Sequence, residues 1–425
     1  MSSSVVRRGD RSTDMPDGRT AAAHESFTIL DTSSARLVGV KPAADVVEGL
    51  SPRHFLHAGP PLELGLAPGP LRGALVAGLM FEGEADTVEA AEQIINRGDL
   101  QISSGSDAGG VGPVAGVVTP SMPVVVVESS RGTSAFSPLN EGRGRVMRFG
   151  ANDDATVRRL QWMRDELAPV LDDAIARVDD IDITVLLAEA LRRGDEVHNR
   201  NTGVSAAFLL SLAPQIVRSA ERLSKDAAEI LEWSGRNPQF FLPFAMAAAK
   251  AITRATADIP NCPVVSAVAA NGVEIGIQVS GCGDRWFTAA SPLGRPKVFD
   301  GYSVDDAQPA LGDSFVTEVF GLGACALTAA PAVHSALGIT AAEAADIVGA
   351  MREVCVGSSS RFLLPADSYA GTPVGIDVSK VVASRTPPVV EYGLAHRVAG
   401  VGQLGAGLTE LPLSLFDDAA QALGI

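Results

Sequence analysis

Forty-three of the 425 residues are glycine. A residue without a Cβ takes positive φ freely and lets backbone approach backbone or ligand closely. A chain so rich in it must be built on tight turns and close contacts. Aromatic residues make up only 5%, so alanine, valine, leucine and glycine have to fill the core. The length exceeds one ordinary domain, and two or three are expected.

The formal charge is −16, from 34 basic and 50 acidic side chains, and no basic run is present. This excludes a nucleic-acid binder, which needs a basic face. A small anion would have to be met by a few local arginines and backbone N–H groups. The four cysteines, Cys262, Cys282, Cys325 and Cys355, form no CxxC pair and no zinc spacing. They read as reduced core thiols. With no HxxxH or clustered carboxylates, neither a metal nor a cofactor is expected. Residues 1–26 are polar and mixed in charge, and read as a flexible tail without a targeting signal. No uninterrupted apolar stretch reaches the roughly 18 residues that span a bilayer. The expected location is cytoplasmic, with no membrane partner.

Patterning along the chain predicts α/β plus α+β. In residues 27–150, strands are expected at Ser26–Leu30, Leu75–Leu79, Leu100–Ile102 and Met122–Glu128, and helices at Ser34–Glu48 and Ala85–Asn96. Alternation with short Gly-rich links argues for a partly parallel, doubly wound sheet. Residues 151–260 read as a helical segment: Asp153–Val178, Asp182–Arg193, Val204–Leu231 with Pro214 interrupting it, and Phe240–Thr256. Residues 261–425 read as α+β. They open on antiparallel strands around Asn271-Gly272, a strong hairpin signal, followed by helices at Ala324–Ala336 and Thr340–Val354.

Three polar clusters can carry chemistry. In Asp195–Asn201, a continuing helix would pair Glu196 with Arg200. That segment is either a solvated helix end or a place where His198 moves a proton and Arg200 grips an anion, with Asn199 and Asn201 beside them. In Ser280–Trp286, Arg285 sits in a Gly-flanked turn. In His396–Gly407, Gly400, Gly402 and Gly405 can aim N–H groups at a phosphate behind His396 and Arg397. Weaker signals are Ser106, Asp107 and Gly112 in a Gly-rich run after a strand, and the segment Gly312–Glu318, where Asp313 is expected to cap the next helix. Lys250 sits on an apolar helix; it either snorkels or binds phosphate.

Several of these segments together resemble the YlbE-like family. They include Leu56–Pro61, Gly112–Gly116, Leu139–Gly142 with Val146–Gly150, His198–Asn201, and Met246–Lys250. Further on come Arg285–Thr288, Gly312–Ser314 with Thr317-Glu318, and Gly393–Gly407. They run in family order from about residue 40 to the C-terminus. The resemblance implies a multi-domain protein with a Rossmann-like N-terminal domain, working beside an FdrA-like partner and linked to purine-nitrogen catabolism. In some members it implies an oxamate carbamoyltransferase, which turns oxalurate and phosphate into oxamate and carbamoyl phosphate. Its implied site adds Asn271 and Glu318 to the residues above, and a homo-oligomer is expected. Two positions depart from the carbamoyltransferase-linked pattern. Gly105-Ser106-Asp107 stands where Cys-His-His is expected, and Ala270 where Arg is expected.

The leading expectation is therefore a carbamoyltransferase acting on a small anionic ureido or amide carboxylate. The alternatives are a non-catalytic anion-binding subunit of an FdrA-like complex, and a stand-alone hydrolase or lyase of a ureido compound or ring-opened heterocycle.

Overall fold

A computed structural model describes residues 18–425. Among them, fourteen α-helices alternate with sheets of two to four strands, a mixed α/β architecture compatible with α+β. The β-branched run Val124–Val127 forms the middle of an antiparallel sheet. Its strand Pro123–Ser129 lies between Ala35–Pro42 and Ser134–Pro138, with Ala35 opposite Ser129 and Val125 opposite Ser137. Strands His54–His57 and Gln101–Ser104 pair in parallel. Helices Gly69–Phe81 and Val88–Arg97 make the crossover between them. Among the described strands these are the one parallel pair, joined outside them by an isolated parallel bridge between Gly110 and Phe136, where a Rossmann-like sheet was expected.

Several local expectations are corrected. Gly18–Thr32 is a helix. It replaces the expected strand at Ser26–Leu30 and the second part of the expected tail; residues 1–17 lie outside the described residues. Ser34–Glu48 is mainly the strand Ala35–Pro42. Leu75–Leu79 is helical within Gly69–Phe81, with Pro70 at the helix start. A short apolar run fits a buried strand and a buried helix equally well, and here a proline suited to a first turn decides it. Pro214 does not interrupt its helix, which runs over Thr202–Leu223. That helix is long and apolar enough to cross a membrane by length and composition, although Ser211, Gln215, Arg218 and Glu221 interrupt its apolar run. It buries Val204, Phe208, Leu212 and Ile216 on one face against protein.

Other elements form as read. Asp182 caps Ile183–Arg192 by accepting the Thr184 N–H. Thr340 and Glu343 make a reciprocal capping box for Ala341–Val354. Asn271 turns the hairpin between Val265–Asn271 and Glu274–Val279, its Oδ1 accepting the N–H groups of Val273 and Glu274. The cysteines are all free, and only Cys282 is not fully buried.

The helix Leu242–Arg254 is buried from Leu242 to Thr253. Four of the scarce aromatics, Phe208, Phe240, Phe241 and Phe244, meet at its start, with ring centroids as close as 4.9 Å. Alanines fill the rest of this helix, so it packs close to the sheet strands Pro123–Ser129 and Ser134–Pro138.

Glycine permits an equally close approach where the helix Gly69–Phe81 crosses the turn Met147–Gly150. A Cβ on Gly73 would overlap the Gly150 carbonyl. The turn carries Arg148, so this crossing fixes where that side chain points. Gly73→Ala should destabilise the protein by about 1–3 kcal/mol through overpacking. The expected reading is a lower urea midpoint with an unchanged m-value; an unchanged midpoint would show that the crossing is slack.

Candidate active site

Residues 194–201 are not helical; carboxylates wind them into a knot between two helices. Asp195 accepts the N–H groups of Gly203 and Val204 at 3.1 and 2.7 Å, at the start of the helix Thr202–Leu223. Glu196 Oε1 accepts three successive N–H groups, from His198, Asn199 and Arg200, at 3.3, 2.5 and 2.8 Å. Val197 takes a φ of +70° to allow it. The expected Glu196–Arg200 pair is therefore replaced. Arg200 Nε donates to the Gly194 carbonyl at 2.9 Å and pairs with Asp195 at 3.3 Å.

His198 is buried between two long-range partners. Its Nδ1 lies 2.9 Å from Glu318 Oε1, and its Nε2 lies 2.9 Å from Ser314 Oγ. Glu318 Oε1 also accepts the N–H groups of Ala324 and Glu391, both at 3.1 Å, and its Oε2 accepts the Thr317 hydroxyl. An oxygen already taking two backbone donors is an acceptor, so Nδ1 carries the proton. Nε2 is then the acceptor, and the Ser314 hydroxyl donates to it. Burial, followed by the charges of Glu196 and Glu318, pushes Glu391 well above the usual carboxylate range. Its Oε2 accepts the Asn199 amide at 2.6 Å. Burial raises Glu196 as well.

His198 and Ser314 face a small cavity that Arg143, Arg148, Asn199, Gln239 and Gln403 also line. Four of these residues, Arg143, Asn199, Gln239 and Gln403, border a larger cleft of about 450 Å³, whose walls add Arg200, Lys297 and Gly405. Arg143 has no hydrogen bond or ion pair with a described residue. Its enclosure, then the Arg200 charge, lowers its pKa. Arg148 is buried over the Phe149 ring and donates through Nη2 to the Gly142 carbonyl, but its Nε and Nη1 have no partner. Burial brings it down to about 10, against the opposing charge of Glu141.

Ser314 belongs to a turn that reaches a second polar cluster. Asp313 does not cap the following helix with its side chain, as expected. Instead, its carboxylate accepts the N–H groups of Gly59 at 2.6 Å and Gly112 at 3.3 Å. Lys250 does not snorkel; its Nζ is buried and donates to Ser106 Oγ at 2.8 Å. Burial pushes Asp313 up to about 7 and Lys250 down to about 8, each partly offset by the other's charge. Asp107 accepts the Trp286 indole N–H at 2.9 Å. Asn271 lies behind this cluster, its side-chain amide donating to the Pro60 carbonyl.

The structure thus brings Asn199, Arg200 and Gly405 to the cleft and His198 to the small cavity beside it, with Glu318 behind His198 and Asn201 donating to Gln239. It gathers Ser106, Asp107, Gly112 and Lys250 around Asp313. Three residues go elsewhere. Arg285 is exposed and lies over the Phe287 ring. His396 sits beside Tyr302 and 3.9 Å from Asp306, and Arg397 is exposed. None of the three lines either cavity. The expected phosphate cradle is also corrected. Gln403–Glu410 is the middle strand of a sheet, paired on both sides, so its backbone is spent on ladders. Gly405 admits the neighbouring strand, and Gly400 and Gly402 take positive φ in the approach to it. Ser314, Arg143, Arg148, Gln239, Lys297 and Gln403 were not singled out from sequence. Ser314, Arg148 and Gln403 lay inside noted segments, Gly312–Glu318, Val146–Gly150 and His396–Gly407, without being picked out in them.

Residues 100–314 match the family described as oxamate carbamoyltransferase subunit AllG. The Escherichia coli (strain K12) protein of that description is 39% identical over 90% of this chain and 92% of its own. The chain belongs to the AllG family. That description stands where the motifs suggested the YlbE-like name. The E. coli (strain K12) uncharacterized protein YahG is 34% identical over 98% of this chain and 88% of its own. A crystal structure of a conserved protein of unknown function from Enterococcus faecalis V583 superposes with a TM-score of 0.91 at 37% identity. It covers 96% of this chain and 98% of that one. The family match takes in His198, Arg200, Lys250, Asp313 and Ser314, and stops before Glu318.

The Asp313 cluster sets a pH dependence. A carboxyl whose pKa rises on folding stabilises the protein fully below its ordinary value of 3.8, and that contribution is lost as pH rises through about 7. Asp313→Asn keeps an acceptor for Gly59 but removes the titration. The stability of the wild type relative to Asp313→Asn should therefore fall as pH rises from 3.8 to about 7, read from thermal melts. A constant difference across that window would mean that Asp313 keeps an ordinary pKa.

Proposed function

We propose that this chain is a subunit of a carbamoyltransferase whose cleft holds a small anionic ureido or amide carboxylate together with phosphate or carbamoyl phosphate. The observation that carries the reading is the convergence of Arg143, Arg200 and Lys297 on one cleft, in a chain of net charge −16, next to a small cavity that shares its walls and holds a buried histidine with a fixed tautomer. Three cations match the charge of a carboxylate and a phosphate bound together. Held in a partly enclosed cleft, they act more strongly than in open water.

In this reading Arg200 and Lys297 grip the two anions, and Arg143 closes the mouth. His198 moves the proton that carbamoyl transfer requires, because cleaving the carbamoyl C–N bond leaves a nitrogen that must be protonated. The reaction is oxalurate plus phosphate giving oxamate plus carbamoyl phosphate, or its reverse. The similarity to a protein described as a subunit supports assembly with other chains, and the FdrA-like partner implied by the motif resemblance is the partner we assign. His396, Arg397 and Arg285 take no part in this site.

Calorimetric titration with carbamoyl phosphate tests the reading. The wild type should bind, and Arg200→Ala should raise Kd about tenfold or more, as expected for losing a hydrogen bond to a charged group. Arg285→Ala should leave Kd unchanged. No binding by the wild type, or equal loss in both variants, would reject the cleft.

A further inference from the structure

Resting on that reading, we infer that Ser314 is a nucleophile that carries the carbamoyl group as a covalent ester between donor and acceptor. The order Ser314 Oγ, His198 Nε2, His198 Nδ1, Glu318 Oε1, with both contacts at 2.9 Å, is the serine–histidine–carboxylate constellation, recognised by geometry rather than by sequence order. Its polarity is fixed in the right sense. The two backbone donors on Glu318 Oε1 make that oxygen an acceptor, which sets the Nδ1–H tautomer and leaves Nε2 free to take the serine proton. A hydrogen-bonded core network would have the same three side chains, but it would have no reason to face a cavity. This one does, and the same cavity is lined by Arg148, whose buried Nε and Nη1 have no partner in the fold. A developing oxyanion requires unpaired N–H donors, and Arg148 holds two on the wall of the cavity that Ser314 also lines.

The steps balance without any redox partner. Ser314 Oγ bonds the carbamoyl carbon of the ureido donor, and its proton passes to His198 Nε2. The C–N bond to the leaving amide breaks, and that nitrogen takes the proton from His198. An oxygen of phosphate then bonds the carbamoyl carbon while its proton moves through His198. The ester C–O bond breaks, and Ser314 recovers its hydroxyl. The bound carbamoyl ester fills the small inner cavity, and the two anions occupy the cationic cleft in turn. Glu318 is a positioning residue that acts through His198.

The test uses p-nitrophenyl carbamate on the full chain. The expected result is a burst of p-nitrophenol equal to one per protein, with a mass gain of one carbamoyl group mapped to the peptide holding Ser314. Ser314→Ala should lose burst and adduct while keeping its thermal melt and its stabilisation by carbamoyl phosphate. Ser314→Cys, a second variant that keeps nucleophile and shape, should form the thiocarbamate. His198→Ala should slow the burst by about 10²–10⁴-fold, and Glu318→Gln should alter its pH profile. No adduct in wild type, or an undiminished adduct in folded Ser314→Ala, overturns the assignment. Stabilisation by carbamoyl phosphate without an adduct rejects Ser314 alone. An adduct without any carbamoyl phosphate or oxamate binding upholds the nucleophile and rejects the transferase reading.

Discussion

The Glu318 carboxylate holds three distant parts of the chain together. It receives His198 from the knot after the helix Ile183–Arg192, the Ala324 N–H from the turn that follows its own helix, and the Glu391 N–H from a sheet strand. It is fully buried, and a buried charge is tolerated only when donors surround it. Removing any one donor would leave the others holding an under-satisfied anion. The knot, the turn and the strand therefore keep a common register, and His198 cannot rotate without breaking it. Glu391 sits next to this carboxylate, and burial, then the charges of Glu196 and Glu318, push it well above the usual carboxylate range.

Around that point glycine sets how closely the chain can pack. Gly323 lies against Glu318, and a Cβ there would overlap its carboxylate. Gly59 and Gly112 donate their N–H groups to Asp313 from two sides, and a side chain on Gly59 would run into Asn271. The abundance of glycine was visible in the sequence, and its effect is the close approach of backbones to buried carboxylates. What it does not make is the expected nest at Gly402–Gly407, because strands on both sides already use that backbone.

Legibility followed the range of the interaction. Features whose determinants lie within three residues were legible: the hairpin at Asn271-Gly272 and the helix starts at Asp182 and Thr340 fall where they were expected. Leu75–Leu79 and Ser26–Leu30 were misread because a short apolar run says nothing about its period until its neighbours are known. His198, Arg200 and Glu318 stood out as polar residues in unusual local settings. Ser314 did not, since its significance rests on a contact 116 residues away. Arg143, Lys297 and Gln403 reach the cleft from three separate elements, and no local pattern connects them. His396 and Arg397 misled for the converse reason: next to glycines in sequence, they turn to the surface in space.

The two polar clusters meet at one turn, and this bears on the departure at Gly105-Ser106-Asp107. Asp313 points into the cluster of Ser106 and Lys250, while Ser314, its neighbour, points at His198. A side chain at position 105 would lie 3.2 Å from the His57 carbonyl and 4.0 Å from Asp313 Oδ2. The tight contact is the one with the His57 carbonyl, while Asp313 Oδ2 is met at ordinary van der Waals distance. The loop 105–107 lines neither cavity, and it meets the turn that carries Ser314 only through the surroundings of Asp313. With glycine at 105 the turn is free to sit where the Gly59 and Gly112 donors place it. The Lys250–Ser106 pair then balances the Asp313 charge from the far side. The geometry at Ser314 is thus set by a buried charge balance on one face and by the Glu318–His198 pair on the other.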